Sequence, residues 1–278
     1  MTEFRLTQIS DTHLCRAARF AALTDNFHSV AEHIDATRPD LVVNTGDLAY
    51  DAPTSRDDLL FAKQLHDGLP VPCRHLPGNH DIGDNPTAVG KAPRQPASES
   101  ERQNYLAVIG EDRWRFDEAG WCFIGLNSLI MNTGIESEAA QFDWLASELA
   151  HTNGKPVALF LHKPLFQNAP DDAETEDTAI RYVPQPRRTT LIEMFSKIDL
   201  RLIASGHVHQ RRDFTHGHTR HIWAPPTSFI LPERIQPVIG TKEAGLVEYR
   251  FRPDAFEVWH VRAAGQTDID IDVLNRKK

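Results

Sequence analysis

Five short polar clusters in this chain carry residue types able to hold metal ions, and each follows a short apolar run. After "LTQIS" come Asp11 and His13, after "LVVNT" comes Asp47, and after "CRHLP" come Asn79, His80 and Asp81. "VALFL" ends in His162, and "LIAS" leads through Gly206 to His207 and His209. Carboxylate, imidazole and amide oxygen together suit divalent or trivalent transition metals of intermediate hardness, and no thiolate is among them. Asp11, His13, Asp47, Asn79, His162, His207 and His209 are too many ligands for one tetrahedral zinc and suit two ions that share a bridge. His80 and Asp81 stand beside this set with work of their own to do, because a turn at "GNHD" needs only the Gly and the Asn.

The elements that would position these residues follow a β-α-β rhythm. "FRLTQI" reads as a strand, "DNFHSVAEHIDAT" as a helix with Phe27, Val30, Ala31 and Ile34 on one face, and "DLVVN" as the next strand. The pattern continues through "TSRDDLLFAKQLHDG", which Thr54 and Asp57 would open as a capping box, to "VPCRHLP". Helices near 99–109 and 138–150, the latter with Phe142, Leu145 and Leu149 in register, alternate with the strands "WCFIGLN" and "PVALFLH". Beyond "LRLIASG" the runs shorten, and "RDFTHGHTRHIWA", "GLVEYRF" and "FEVWHV" predict antiparallel hairpins across 211–262. All five polar clusters therefore fall at the same end of their strands, where an open α/β sheet binds ligands. A lone Asp would more simply cap a helix, and the other His-x-His, His216 and His218, falls in a predicted hairpin turn and reads as surface. His28, His33, His66 and His151 lie on helical faces and read the same way.

Composition narrows the function classes. The chain has 278 residues, 40% of them apolar and 25% charged, which suits a large globular core rather than disorder or a fibre. A net charge of −9 argues against gripping a nucleic-acid backbone, and it means that an anionic substrate needs a local reversal of field, which bound metals would supply. No apolar run reaches membrane-span length, and "MTEFRLTQIS" enters a strand directly, so the expectation is a cytoplasmic protein with no membrane partner. Cys15, Cys73 and Cys122 lack metal-like spacing and fit buried thiols in a reducing compartment. Two stretches read as long loops near the site, 83–100 and 168–188, and the second could be a lid. It offers Arg181, Tyr182, Arg187 and Arg188 for phosphate or base contacts.

The order Asp-x-His, Gly-Asp, Gly-Asn-His-Asp, His, Gly-His-x-His across residues 11–209 resembles the calcineurin-like metallophosphoesterases. The stretch "LNSLIMNTGIESEAAQFDWLASELA" further resembles their bacterial class III cyclic-nucleotide phosphodiesterase and glycerophosphodiesterase branch. This resemblance implies an α/β fold, one domain over 1–278, built as a four-layer α-β-β-α sandwich of two mixed sheets with the metal site at the C-terminal ends of the strands. It implies two divalent or mixed-valence ions, iron, manganese or zinc, one held by Asp11, His13 and His209, the other by Asn79, His162 and His207, with Asp47 bridging. A homodimer is also implied. The expected reaction is hydrolysis of a small phosphodiester by direct attack of a metal-bridging hydroxide. A 3′,5′-cyclic nucleotide comes first as substrate, and a glycerophosphodiesterase or broad phosphomonoesterase is the alternative. A non-catalytic metal-binding scaffold is the reading from another class, and degenerate ligands would have favoured it. In the family pattern His80 is no ligand and faces the leaving group, while Asp81 either orients it or caps the turn. Asn79, His80, Lys163 (where relatives often carry a second His), Arg181 and Tyr182 are the expected substrate contacts.

Overall fold

Strand β1 (Phe4–Ile9) turns Phe4 and Leu6 to one side and Ile9 to the other, and all three are buried. Burial on both faces is the mark of an inner strand between two layers, and it recurs in β2 (Leu41–Asn44), where Leu41 and Val43 oppose Val42. The structure, a computed structural model, describes residues 3–87 and 89–276. Met1, Thr2, Lys277 and Lys278 of the expected domain, and Ala88 of the expected 83–100 loop, lie outside the described residues.

Strand β3 (Cys73–His75) pairs in parallel with β2, and β2 with β1. Strands β4 (Trp114–Glu118), β5 (Trp121–Leu126), β6 (Val157–Leu161), β7 (Leu200–Ser205), β8 (Arg212–His216) and β9 (Thr219–Trp223) belong to a second sheet. Strands β10 (Leu246–Arg252) and β11 (Ala255–Val261) return to the first. The orders are β11-β10-β1-β2-β3 and β4-β5-β6-β7-β9-β8, each mixed: β1, β2 and β3 run parallel in the first, with β10 antiparallel to β1, and β5, β6, β7 and β9 run parallel in the second.

Helices α1 (Ala21–Thr37) and α2 (Arg56–Asp67), the single-turn α3 (Asn79–Ile82) and α4 (Glu99–Val108) fall within the first half of the chain. Phe27, Val30 and Ile34 of α1, Leu59 and Ala62 of α2 and Tyr105 of α4 pack on the outer face of the first sheet. Leu145 and Leu149 of α5 (Glu136–Ala150) and Leu191 and Phe195 of α6 (Gln185–Phe195) do the same for the second. Between the sheets lie Leu6, Val43, Phe123, Phe160, Leu202 and Tyr249, so the layers are α-β-β-α as the resemblance implies. No helix among the described residues is long and apolar enough to cross a membrane.

Two local expectations change. Helix α2 is capped at Ser55, and the Thr54 hydroxyl donates to the Asp51 carbonyl instead of closing a capping box. The 168–188 loop ends at Pro184, because Gln185-Pro186 opens α6 and proline is well suited to a first helical turn. The two antiparallel C-terminal hairpins divide between the sheets: β8–β9 extends the second and β10–β11 the first.

Candidate metal centre

Five parallel strands, three from the first sheet and two from the second, deliver their polar residues to one end of the seam between the sheets. The turns are tight, and they force unusual backbone. Asp11 (φ 54°), His13 (43°), Asp47 (55°), His207 (68°) and His209 (50°) all adopt the left-handed region. Such a conformation costs a non-glycine residue of the order of 1–3 kcal/mol, which the packed surroundings must offset. Glycine is required twice by close approach. A Cβ on Gly78 would collide with the Asp47 backbone and carboxylate, and one on Gly206 with Ser10 Oγ and Asp11 Oδ2.

The structure brings all seven expected ligands together as two clusters. In the first, His209 Nε2 lies 3.3 Å from Asp11 Oδ1 and 3.2 Å from His13 Nε2, which is 3.5 Å from Asp47 Oδ2. In the second, His162 Nε2 lies 3.4 Å from the same Asp47 oxygen, 3.3 Å from Asn79 Oδ1 and 3.1 Å from His207 Nδ1. Asp47 belongs to both, and its other oxygen accepts from the His80 backbone N–H at 2.8 Å.

The donor set fits cations. His162 Nδ1 faces the Thr45 carbonyl at 2.8 Å, His209 Nδ1 the Phe229 carbonyl at 2.7 Å, and His207 Nε2 the Ile180 carbonyl at 2.9 Å. A carbonyl can only accept, so in each ring the nitrogen on that side carries the proton and the other is left to point into the cluster, the arrangement of a metal-ligating histidine. Asp11 Oδ1, fully buried, has no hydrogen-bond partner. Electrostatics agree. Burial pushes the Asp47 carboxyl up, but His162, His80 and His13 together hold it well below the usual carboxylate range. Burial likewise opposes ionisation of Asp11, and the charge of nearby His209 overrides it. Despite its own burial, His162 is pushed up to about 9 by the charge and hydrogen bond of Asp47. Two buried anions demand positive charge, and without cations protons on the histidines must supply it.

His80 stands apart from the ligands. Its Nδ1 lies 2.5 Å from the Tyr50 carbonyl, which accepts from it, and Nε2 has no protein partner among the described residues. Asp81 does not reach that ring. Its Oδ2 accepts from Gly78 N–H at 2.8 Å and Leu48 N–H at 3.1 Å, and its Oδ1 from Ala49 N–H at 3.0 Å, so it ties the "GNHD" turn to the turn carrying Asp47. Burial, then the charge of Asp47, pushes Asp81 up to about 7. Next to His80 and Asn79 opens a cleft of about 380 Å³, lined also by Asp84, Lys91, Arg94 and Ile180.

Other expected substrate contacts turn away. Lys163 is buried and its Nζ is held by Asp84. Arg181 is spent on the Asp177 and Ile235 carbonyls, and the buried Tyr182 donates to Gln167 Oε1 at 3.3 Å. Arg187 pairs with Glu138 at 2.6 Å, and Arg188 is buried with a 3.0 Å bond to the Asp172 carbonyl. The stretch 168–188 had the right residue types, but its arginines are taken up by carbonyls of the loop itself, by the Ile235 carbonyl and by Glu138 of α5.

His216 and His218 do flank the β8–β9 turn. His66, read as surface, is instead buried against Asn44, whose Nδ2 lies 2.8 Å from His66 Nε2 and whose Oδ1 accepts from Gly46 N–H at 2.9 Å. It thus supports the turn before Asp47. The helical pattern around His66 gave no sign of this, since only the fold shows what faces it.

Comparison with known proteins gives the same picture. The family model for calcineurin-like phosphoesterases matches residues 4–211. A probable glycerophosphodiester phosphodiesterase, GpdQ of Arcobacter nitrofigilis, is 29% identical over 74% of this chain and 71% of its own. The 3′,5′-cyclic adenosine monophosphate phosphodiesterase CpdA of Escherichia coli K12 is 28% identical over 80% of this chain and 76% of its own. Among solved structures, a dimetal phosphatase from Danio rerio superposes with a TM-score of 0.67 at 14% identity, covering 92% of this chain and 95% of that one; this likeness is one of fold.

Proposed function

This chain belongs to the calcineurin-like phosphoesterases and is a metal-dependent phosphoester hydrolase; from that premise we propose that it cleaves a small phosphodiester, a 3′,5′-cyclic nucleotide ahead of a glycerophosphodiester. The observation that carries the reading is the pair of ligand clusters joined at one carboxylate oxygen of Asp47. Support for the substrate class comes from relatives described as acting on a cyclic nucleotide and a glycerophosphodiester.

In our assignment Asp11, His13 and His209 would hold one ion, Asn79, His162 and His207 the other, and Asp47 both, with iron, manganese or zinc as the candidates. Two cations there would supply Lewis acidity toward phosphoryl oxygens and make water a usable nucleophile at neutral pH. The protein's own groups do the rest. Asp47 fixes the spacing of the clusters and, by accepting from the His80 N–H, the position of the His80 backbone. The Tyr50 carbonyl sets the His80 ring, so that Nε2 can give a proton to the departing oxygen of a substrate seated in the adjoining cleft. Asp81 is a positioning residue here, because its oxygens are taken by backbone N–H groups. We also place the protein in a reducing compartment, in keeping with its three free thiols.

The test is a substrate panel on protein reconstituted with manganese, iron or zinc: cyclic nucleotides, glycerophosphodiesters, bis-p-nitrophenyl phosphate and p-nitrophenyl phosphate. Preference for diesters supports the proposal, and dominance of monoesters overturns it. Metal uptake without cleavage of any ester would favour the scaffold reading.

A further inference from the structure

We infer that Ile180, in the loop before α6, is a positioning residue for the second ion: its main-chain carbonyl selects the form of His207 that can bind a divalent transition cation, while its side chain walls the substrate cleft. The inference rests on the ligand assignment above and not on the choice of substrate.

Three ligand histidines are oriented by main-chain carbonyls, and the carbonyls differ in where they come from. Thr45 directly follows β2, and Phe229 is a buried residue beside Ser228, which is bonded to the Asp11 carbonyl. Ile180 lies in the loop and its side chain is 44% exposed, yet its carbonyl accepts from His207 Nε2 at 2.9 Å. That bond leaves Nδ1 as the metal-facing nitrogen, 3.1 Å from His162 Nε2. The loop is built to hold the carbonyl there. Ala179 N–H and Arg181 N–H close a turn onto the Thr175 and Thr178 carbonyls, both at 2.9 Å, and Val183 N–H anchors the segment to the Pro164 carbonyl at 2.9 Å. Ala179, Tyr182 and Val183 are buried, so the turn is pinned at its base.

Because the Ile180 side chain lines the same cleft as Asn79 and His80, one residue touches both the second ion's ligand and the substrate's space. Linkage then runs both ways. Whatever shifts the loop changes the affinity of the second ion, and filling that site steadies the loop. Losing an outer partner of a ligand histidine typically weakens metal binding by about 10–100-fold.

The experiment titrates Mn(II) into metal-free protein, with His207→Ala and His209→Ala used to assign the two binding phases. Replacing residues 174–181 by a short glycine bridge should weaken the second-site phase by about 10–100-fold and leave the first unchanged. Ile180→Ala, which keeps the carbonyl, should retain both phases. In the wild-type protein, amide exchange across 175–183 should slow on adding the second equivalent of Mn(II) and not the first, a readout that needs no variant to fold. An unchanged second phase in the bridged variant, an equal loss of both phases, or exchange indifferent to the second equivalent would overturn the proposal.

Discussion

The two ligand clusters share Asp47 but are housed differently. Asp11, His13 and His209 are buried, and the carbonyl that orients His209 belongs to the buried Phe229. In the second cluster His162 is buried too, but Asn79 and His207 are only partly so: Asn79 borders the cleft, and His207 leans on a loop through Ile180. A sealed site favours permanent occupancy, and an open one favours exchange and access for substrate. The difference therefore assigns holding to the first cluster and working contact to the second.

The comparison is broken most severely at the residue the clusters have in common. Asp47→Ala should weaken both ions, by more than the ~10–100-fold of a lost outer partner, and abolish measurable hydrolysis. Metal analysis of the purified variant decides this, and two ions retained at normal affinity would show that Asp47 is no bridge. Next comes His80→Ala, which should keep both metals while losing about 10²–10⁴-fold in kcat on substrates with poor leaving groups. Its loss on p-nitrophenyl esters should be smaller, since that leaving group needs little protonation. An equal loss on both kinds of ester would remove the acid role from His80.

Protons compete with the ions in both clusters, since against its burial the charge of Asp11 also pushes His209 up. In the metal-free protein His162 holds its proton up to about pH 9, so an ion entering the second cluster must displace it. Second-site affinity should accordingly rise with pH until about 9 and level off, and titration calorimetry in buffers of different ionisation enthalpy should register proton release. The smallest expected effect is on stability. Gly206→Ala forces a methyl group toward Ser10 and Asp11 and should cost about 1–3 kcal/mol in denaturant unfolding.

The clustering of the candidate ligands was legible in the sequence because their side-chain types carry the message and each follows an apolar strand. The layers were legible only through the family resemblance; the structure does cover strands such as "VALFL" on both faces, with Phe160 toward the inner core and Leu159 and Leu161 toward the helices. What could not be read were the partners that orient the candidate ligands and His80. Thr45, Tyr50, Ile180 and Phe229 act through main-chain carbonyls, which every residue possesses, so no residue type marks them. Arg187 and Arg188 misled for the converse reason: a guanidinium satisfied by Glu138 or by the Asp172 carbonyl looks, in sequence, like one awaiting a phosphate.

The sheets contribute unequally but jointly to each cluster. The first takes Asp11, His13 and Asp47 from the ends of β1 and β2 and His209 from the end of β7; the second takes Asp47 and Asn79 from one sheet and His162 and His207 from the other. Each ion would therefore be a cross-link between distant chain segments, 196 residues apart from His13 to His209 in the first cluster and 83 from Asn79 to His162 in the second, as a disulfide ties distant cysteines. On that view the metals clamp the Phe123–Phe160–Tyr249 interior from one end, and damage to that interior should be tolerated better by the loaded protein than by the stripped one.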